Sequence, residues 1–174
     1  MNFELNNSIE ILERTPLILE SFLSNLSSNW IKNNEGENTW SPYDIIGHLI
    51  YGEKTDWIVR AKIIVSQSEN KTFESFDRFA QFKENQNLQI SDLIAKFKDL
   101  RKSNLQELKS LHITSDKLAL KATHPELGEI TLQQLISAWV VHDLGHIAQI
   151  SRVMAKQYDS NVGSWKAYLG ILNK

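Results

Sequence analysis

The chain of 174 residues contains no cysteine. That excludes a disulfide framework, a cysteine-ligated structural zinc and a protein thiol nucleophile, so any metal must be held by nitrogen and oxygen. Prolines number only three and glycines seven, too few for a turn-rich β fold or a linker composition, and this scarcity suits long helices. Neither sign of charge dominates: 19 Lys and Arg stand against 21 Asp and Glu, for a net charge of −2, and the basic residues are scattered among acids. The electrostatic footprint of a nucleic-acid binder is missing. No apolar run approaches the roughly 18 residues of a membrane span, and Met1 to Asn7 has neither the basic nor the apolar region of a secretion signal. The expected setting is cytoplasmic, with no nucleic acid and no membrane as partner.

What is present reads as one domain over residues 1–174, long enough to bury roughly 70% of the surface of its unfolded chain. A first helix is expected from near Ser8 to about Ser28, with Pro16 a candidate kink. Ser41, Pro42 and Asp44 form an S-x-x-D start for a second helix running to about Val65. Residues 67–89 carry Phe73, Phe76, Phe79 and Phe82 at steps of three, a short helix or an irregular lid adding aromatic wall to a pocket. Ser91 and Asp92 open a third helix with a stripe from Leu93 to Leu111. The turn signals of His124-Pro125-Glu126-Leu127-Gly128 mark a small hairpin or an ordered loop. Thr131 and Gln134 then form a T-x-x-Q box at the head of a fourth helix ending near Gln157, and Trp165–Leu172 reads as a short closing helix. The fold class is therefore all-α: a four-helix bundle with a crossover connection and a short C-terminal helix.

The chemistry is carried by histidines on the buried stripes. In the fourth helix Leu135, Trp139, His142, His146, Ile150 and Val153 follow steps of three and four, which puts two imidazoles on one inward face. In the second helix Ile45, His48, Gly52, Asp56, Val59 and Ile63 do the same for a third imidazole. Three inward imidazoles make a facial nitrogen site with a coordination position left open. A lone buried histidine is more often a satisfied core residue than a ligand, but burying three without partners costs several kcal/mol, and one ion satisfies all of them. The spacing is not that of the zinc proteases, because Asp143 follows His142 where a glutamate would stand.

Other polar residues take lesser roles. Asp56 shares the stripe of His48 and is a candidate general base, or a carboxylate that orients a ligand. Asp143 is rotated about 100° from His142 and either orients a neighbour or faces solvent. His112 and His124 read as surface or loop histidines. Trp139, one turn before His142, is expected in the pocket wall, while Trp40, Trp57 and Trp165 read as core. Gly52 and Gly145 mark close helix approach or room for a ligand, the former being the commoner cause.

Trp40-Ser41-Pro42-Tyr43-Asp44-Ile45-Ile46-Gly47-His48-Leu49, then His124-Pro125-Glu126-Leu127-Gly128 leading to His142-Asp143-Leu144-Gly145-His146-Ile147-Ala148-Gln149-Ile150, resemble the DinB-like superfamily. The likeness extends to the closing Gly163–Leu169 segment. It implies a four-helix bundle holding a divalent metal (Zn, Ni, Fe or Mn) on His48, His142 and His146, and it favours a homodimer, for which the first and third helices also carry surplus apolar residues. Relatives include transferases that use low-molecular-weight thiols such as bacillithiol, and a mycothiol-dependent maleylpyruvate isomerase. The expected activity is thiol S-transfer to an electrophilic small molecule, or a metal-activated hydrolysis; the alternative is a non-catalytic bundle that binds a metal or ligand for sensing or stress response.

Overall fold

The computed structural model describes residues 2–84 and 88–173. In chain order it contains α1 (Leu5–Leu23), α2 (Ser28–Lys32), α3 (Pro42–Thr55), α4 (Trp57–Val65), α5 (Gln81–Glu84), α6 (Ile90–Ser110), α7 (Ser115–Leu118), β1 (Lys121–His124), β2 (Gly128–Thr131) and α8 (Leu132–Lys156), closed by 3-10 turns at Gly163–Tyr168 and Gly170–Leu172. The bundle consists of α1, the α3–α4 pair, α6 and α8. Helix α1 packs on α6 and α8, and so does α3, which sets α1 and α3 diagonally across the bundle although they are consecutive long helices. The expected four-helix bundle is the observed fold.

Local chemistry accounts for most boundaries. Ser41 caps α3: Asp44 N–H donates to its hydroxyl at 3.2 Å, and the Asp44 carboxylate accepts the Ser41 N–H at 2.9 Å. Thr131 and Gln134 make the same reciprocal pair at the head of α8, at 3.2 and 2.8 Å. The turn at His124–Gly128 is a hairpin, with Gly128 at φ +74° and Lys121 opposite Thr131. A parallel bridge from Thr72 to Thr123 ties the 71–73 segment to its outer edge.

Several boundaries differ from the sequence expectation. The first helix stops at Leu23 rather than near Ser28, because Asn25 adopts φ +63°. Helix α6 begins at Ile90, not after Ser91; Gln89 is its cap residue, and its N–H donates to Asp92 at 3.3 Å. The second helix is broken at Asp56 (φ −114°, ψ −84°), where Thr55 turns its hydroxyl back onto the Tyr51 carbonyl at 2.9 Å, a contact that bends helices. The break changes the phase of the stripe. Val59 turns out to 38% exposure, while Trp57, Ile58, Ala61 and Ile64 take the core positions. The aromatic run of 67–89 also divides: Phe73 is core, Phe76 faces a cleft and Phe79 is exposed, while residues 85–87 lie outside the described residues. The closing segment is 3-10 rather than α-helical, with Trp165 outside the core and Leu172 buried.

The core has two apolar halves. Leu12, Ile58, Ile64, Leu108, Leu132 and Ile136 belong to one, and Leu19, Ile46, Leu49, Leu93, Phe97 and Ile150 to the other. Between them, midway along each long helix, lies a buried charged layer. Arg101 on α6 donates to both Asp143 oxygens on α8 at 2.6 and 3.1 Å, to Glu53 on α3 at 2.8 Å and to the Leu12 carbonyl on α1 at 2.8 Å. The last bond has a covalent cause: Pro16 has no N–H, so the Leu12 carbonyl four residues back lacks its helical donor, and Arg101 replaces it. Asn104 donates to the Glu53 carbonyl and carboxylate at 2.7 and 2.9 Å. Burial works against the Arg101 charge, but Glu53 and Asp143 outweigh it and hold the guanidinium well above its ordinary pKa.

Replacing Arg101 with Met should therefore cost about 3–5 kcal/mol, because it strands two buried carboxylates. Lys62→Met, which breaks only the solvent-facing pair with Glu107, should cost under about 1 kcal/mol. Urea unfolding of both variants checks this, and equal losses would contradict the assignment of the layer.

Candidate metal centre

His48 projects from α3, and His142 and His146 project from successive turns of α8, onto one point. The Nε2 atoms of His48 and His142 lie 3.0 Å apart, as do those of His142 and His146, and the potential ligand atoms of all three fall within 4.8 Å of one another. An Nε2 carries either one proton or one lone pair: a proton on His142 can be aimed at only one neighbour, and a lone pair there serves both only if both neighbours are protonated at Nε2, which His146 is not. A cation takes all three lone pairs at once. Donors held at about 2.0–2.1 Å around a tetrahedral ion sit about 3.3–3.4 Å apart, close to the 3.0 Å of the two adjacent pairs, while the full set spans up to 4.8 Å.

The protonation states fit that use. His146 Nδ1 lies 2.8 Å from the Gln149 Oε1, which can only accept, so the ring proton is on Nδ1 and Nε2 presents its lone pair. Burial, reinforced by the neighbouring His146 and by Arg78, holds His48 down at about 3. Burial with His146, His48 and Arg101 holds His142 at about 2. Burial also lowers His146, partly offset by its bond to Gln149. All three rings are neutral ligands at pH 7. Among the described residues the Nδ1 atoms of His48 and His142 have no hydrogen-bond partner, so ring packing orients those two: Trp40 and Phe76 on His48 at 4.9 and 5.5 Å, and Trp57 on His142 at 5.0 Å.

The triad opens into a cleft of about 720 Å³ whose wall includes Trp40, Gly52, Asp56, Trp57, Arg60 and His124. Asp56 and Arg60 approach to 2.5 Å between Oδ1 and Nε, a charge contact without hydrogen-bond alignment. Burial nevertheless raises the Asp56 carboxyl to about 6 against the pull of Arg60, and Glu53 adds to the rise. Gly52 is needed for shape: a Cβ there would stand 3.2 Å from the Trp57 indole nitrogen.

Several expectations change here. Trp139 is not pocket wall: it is 1% exposed, its indole N–H donates to Glu53 at 3.1 Å, and it stacks on Trp57, which takes the wall position with Trp40. Of the two roles expected of Asp143, the first is observed: it is buried and orients a neighbour, Arg101. Gly145 has open space where a Cβ would be, so no close approach explains it. His124 is in β1 and lines the cleft rather than a surface loop, whereas His112 is exposed at the end of α6. Glu53, Arg60, Arg101 and Asn104 were not singled out from sequence. The available signal was their place on apolar stripes, Arg101 four residues after Phe97 and Glu53 four after Leu49.

A bundle of four long helices, with three convergent imidazoles open to a cleft, defines a helical-bundle protein with a candidate metal centre. The chain belongs to the DinB superfamily, which it matches over residues 11–150. Among solved structures it is similar to YfiT from Bacillus subtilis, described as a probable metal-dependent hydrolase with an unusual four-helix bundle topology, at 17% identity over 90% of each chain and a TM-score of 0.74. It is also similar to TT2238, a four-helix bundle protein, at 16% identity over 84% of this chain and 97% of that one, with a TM-score of 0.56. These likenesses show the fold. No curated protein matches the chain.

The depressed imidazoles make stability depend on pH in a defined sense. Below its ordinary value of 6.5, His142 would be protonated in the unfolded chain but not in the folded one, so folding loses free energy as pH falls from about 6.5 toward about 2. In metal-free protein, His142→Phe removes that loss, and its stability relative to wild type should rise by about 1.4 kcal/mol per pH unit below 6.5. Asp56 and Glu53, whose carboxyls are raised by burial, act in the opposite sense but cancel in the comparison. Urea midpoints of the two proteins at pH 7, 6 and 5 measure this; a pH-independent difference would contradict neutral packing of the ring.

Proposed function

We propose that the protein is a metal-dependent enzyme acting on a small molecule, with His48, His142 and His146 holding one divalent ion at the head of the cleft. The observation that carries this reading is the convergence of three Nε2 atoms in a buried site where hydrogen bonding cannot satisfy them together. A neutral all-imidazole set suits Zn, Ni, Fe or Mn. When bound, such an ion acts as a Lewis acid that lowers the pKa of a water or thiol nucleophile. Asp56, poised near neutrality in the same cleft, is the group to receive the proton that the nucleophile loses. Trp40 and Trp57 supply apolar walls that limit water, and Arg60 keeps the Asp56 carboxylate turned to the cleft.

Hydrolysis, with water as nucleophile, is supported by the description of YfiT. Thiol S-transfer, with a low-molecular-weight thiol such as bacillithiol, is supported by the resemblance of the triad segments to thiol-dependent DinB-like transferases. Both use the same residues, and they are separated by whether turnover requires added thiol.

We further propose that the chain forms a homodimer. Support comes from Leu17, Ile18 and Phe22, exposed large apolar residues on α1. The apolar stripe of α6, by contrast, is consumed within the bundle, so the surplus expected of both helices belongs to α1 alone. Light scattering at micromolar concentration should give twice the 20.0 kDa chain mass; the single-chain mass would contradict pairing.

The enzyme reading is tested by two variants of tag-free protein. His146→Ala should lose metal and turnover together while keeping its helical signal, because the apolar halves of the bundle hold the fold. Asp56→Asn should retain metal and lose turnover by roughly 10²–10⁴-fold, as for removal of a general base. Full turnover in metal-free His146→Ala protein would make the triad structural and leave a ligand-binding or sensing bundle as the function.

A further inference from the structure

The cleft that contains the triad is also lined by a second group of polar side chains. Arg60 is only 8% exposed, and its guanidinium is immobilised on three sides: Nε against Asp56, Nη2 donating to the Glu74 carbonyl at 3.3 Å, and the face of Phe73 at 5.0 Å. Among the described residues Nη1 has no acceptor. His124 packs edge-on against the same Phe73 ring, at 6.2 Å between centroids. Its Nδ1 accepts the backbone N–H groups of Glu126 and Leu127 at 3.1 and 3.2 Å. Two accepted bonds at Nδ1 require the tautomer with its proton on Nε2, so His124 offers a donor and no acceptor. Phe73 thus holds two preoriented donors, one of them cationic, in a cleft that also contains the triad.

We infer that Arg60 Nη1 and His124 Nε2 form a subsite for a carboxylate of the substrate, which anchors a monoanionic small molecule with its reacting end at the three histidines. This deepens the reading of the cleft as a substrate site and rests on it. One charged and one neutral donor match the two oxygens of a carboxylate. A phosphate dianion fits less well at this pair: Asp56 already offsets much of the Arg60 charge, and Glu126 and Arg78 in the same wall offset each other. Remote binding energy of this kind positions a substrate for reaction at the other end of a cleft.

The probe is butyrate, with butanamide as its neutral isostere, titrated into tag-free protein whose metal content is measured in parallel, and followed by amide NMR shifts. Butyrate should bind, and butanamide should bind at least about tenfold more weakly, since it lacks the charge. Arg60→Gln and His124→Asn should each weaken butyrate by about tenfold or more. In His124→Asn the side-chain carbonyl stands in for Nδ1, so the hairpin turn is kept, while the amide NH2 ends at the place of the ring Cδ2 and leaves the Nε2 position without a donor; this variant answers the question even if Arg60→Gln fails to fold. Lys62→Met, whose side chain lies outside the cleft, should bind butyrate as wild type does. Loss of binding in His146→Ala with full binding in the Arg60 and His124 variants would place the carboxylate at the triad and overturn the subsite, as would no butyrate binding in wild type. Absence of metal from wild-type protein would defeat the metal reading alone, because dependence on Arg60 and His124 is read without turnover.

Discussion

The structure depends on one guanidinium. Arg101 is bonded to a carboxylate on α3, a carboxylate on α8 and a backbone carbonyl on α1, so one side chain fixes its own helix against the other three. Desolvating three charges is expensive, and an apolar layer would stabilise the bundle at least as well. What the charged layer adds is register: sliding any helix by a turn strands a buried charge, whereas apolar layers tolerate such slips. Pro16 is part of the same device, because the carbonyl it orphans is the one Arg101 reaches on α1.

That register is what assembles the candidate metal centre. Asp143 is adjacent to His142 in sequence, so pinning its carboxylate inward sets the rotation of α8 and points the imidazoles of His142 and His146 at α3. Glu53 does the same for α3, on which His48 lies. A second link runs through aromatic rings: Glu53 accepts from Trp139, Trp139 stacks on Trp57, and Trp57 packs against His142. The ligand rings are thus held by elements buried for other reasons, and the walls of the cleft consist of what those elements leave outward.

How far this was legible in the sequence follows from the range of each interaction. Caps are local, so Ser41 with Asp44 and Thr131 with Gln134 were readable within four residues. The histidines were readable because each lies on an apolar stripe, and their segments resemble those of the DinB-like superfamily. The break at Asp56 was not: helical periodicity continues through it, and only a Thr hydroxyl turned onto a carbonyl distinguishes it. Nor was the position of Trp139, whose face is decided by Glu53, 86 residues away in the chain. His124 was taken for a loop residue because nothing in its neighbourhood reveals that the hairpin folds over the cleft.

On the proposed reading, the register set by Arg101 brings three neutral imidazoles onto one divalent ion. Metal-edge X-ray absorption on tag-free protein tests this most directly. The expected spectrum contains three imidazole nitrogens at about 2.0–2.2 Å and one or more oxygen scatterers, and it loses one imidazole contribution in His48→Phe. Protein that takes up no divalent metal, or a spectrum unchanged by His48→Phe, would contradict it.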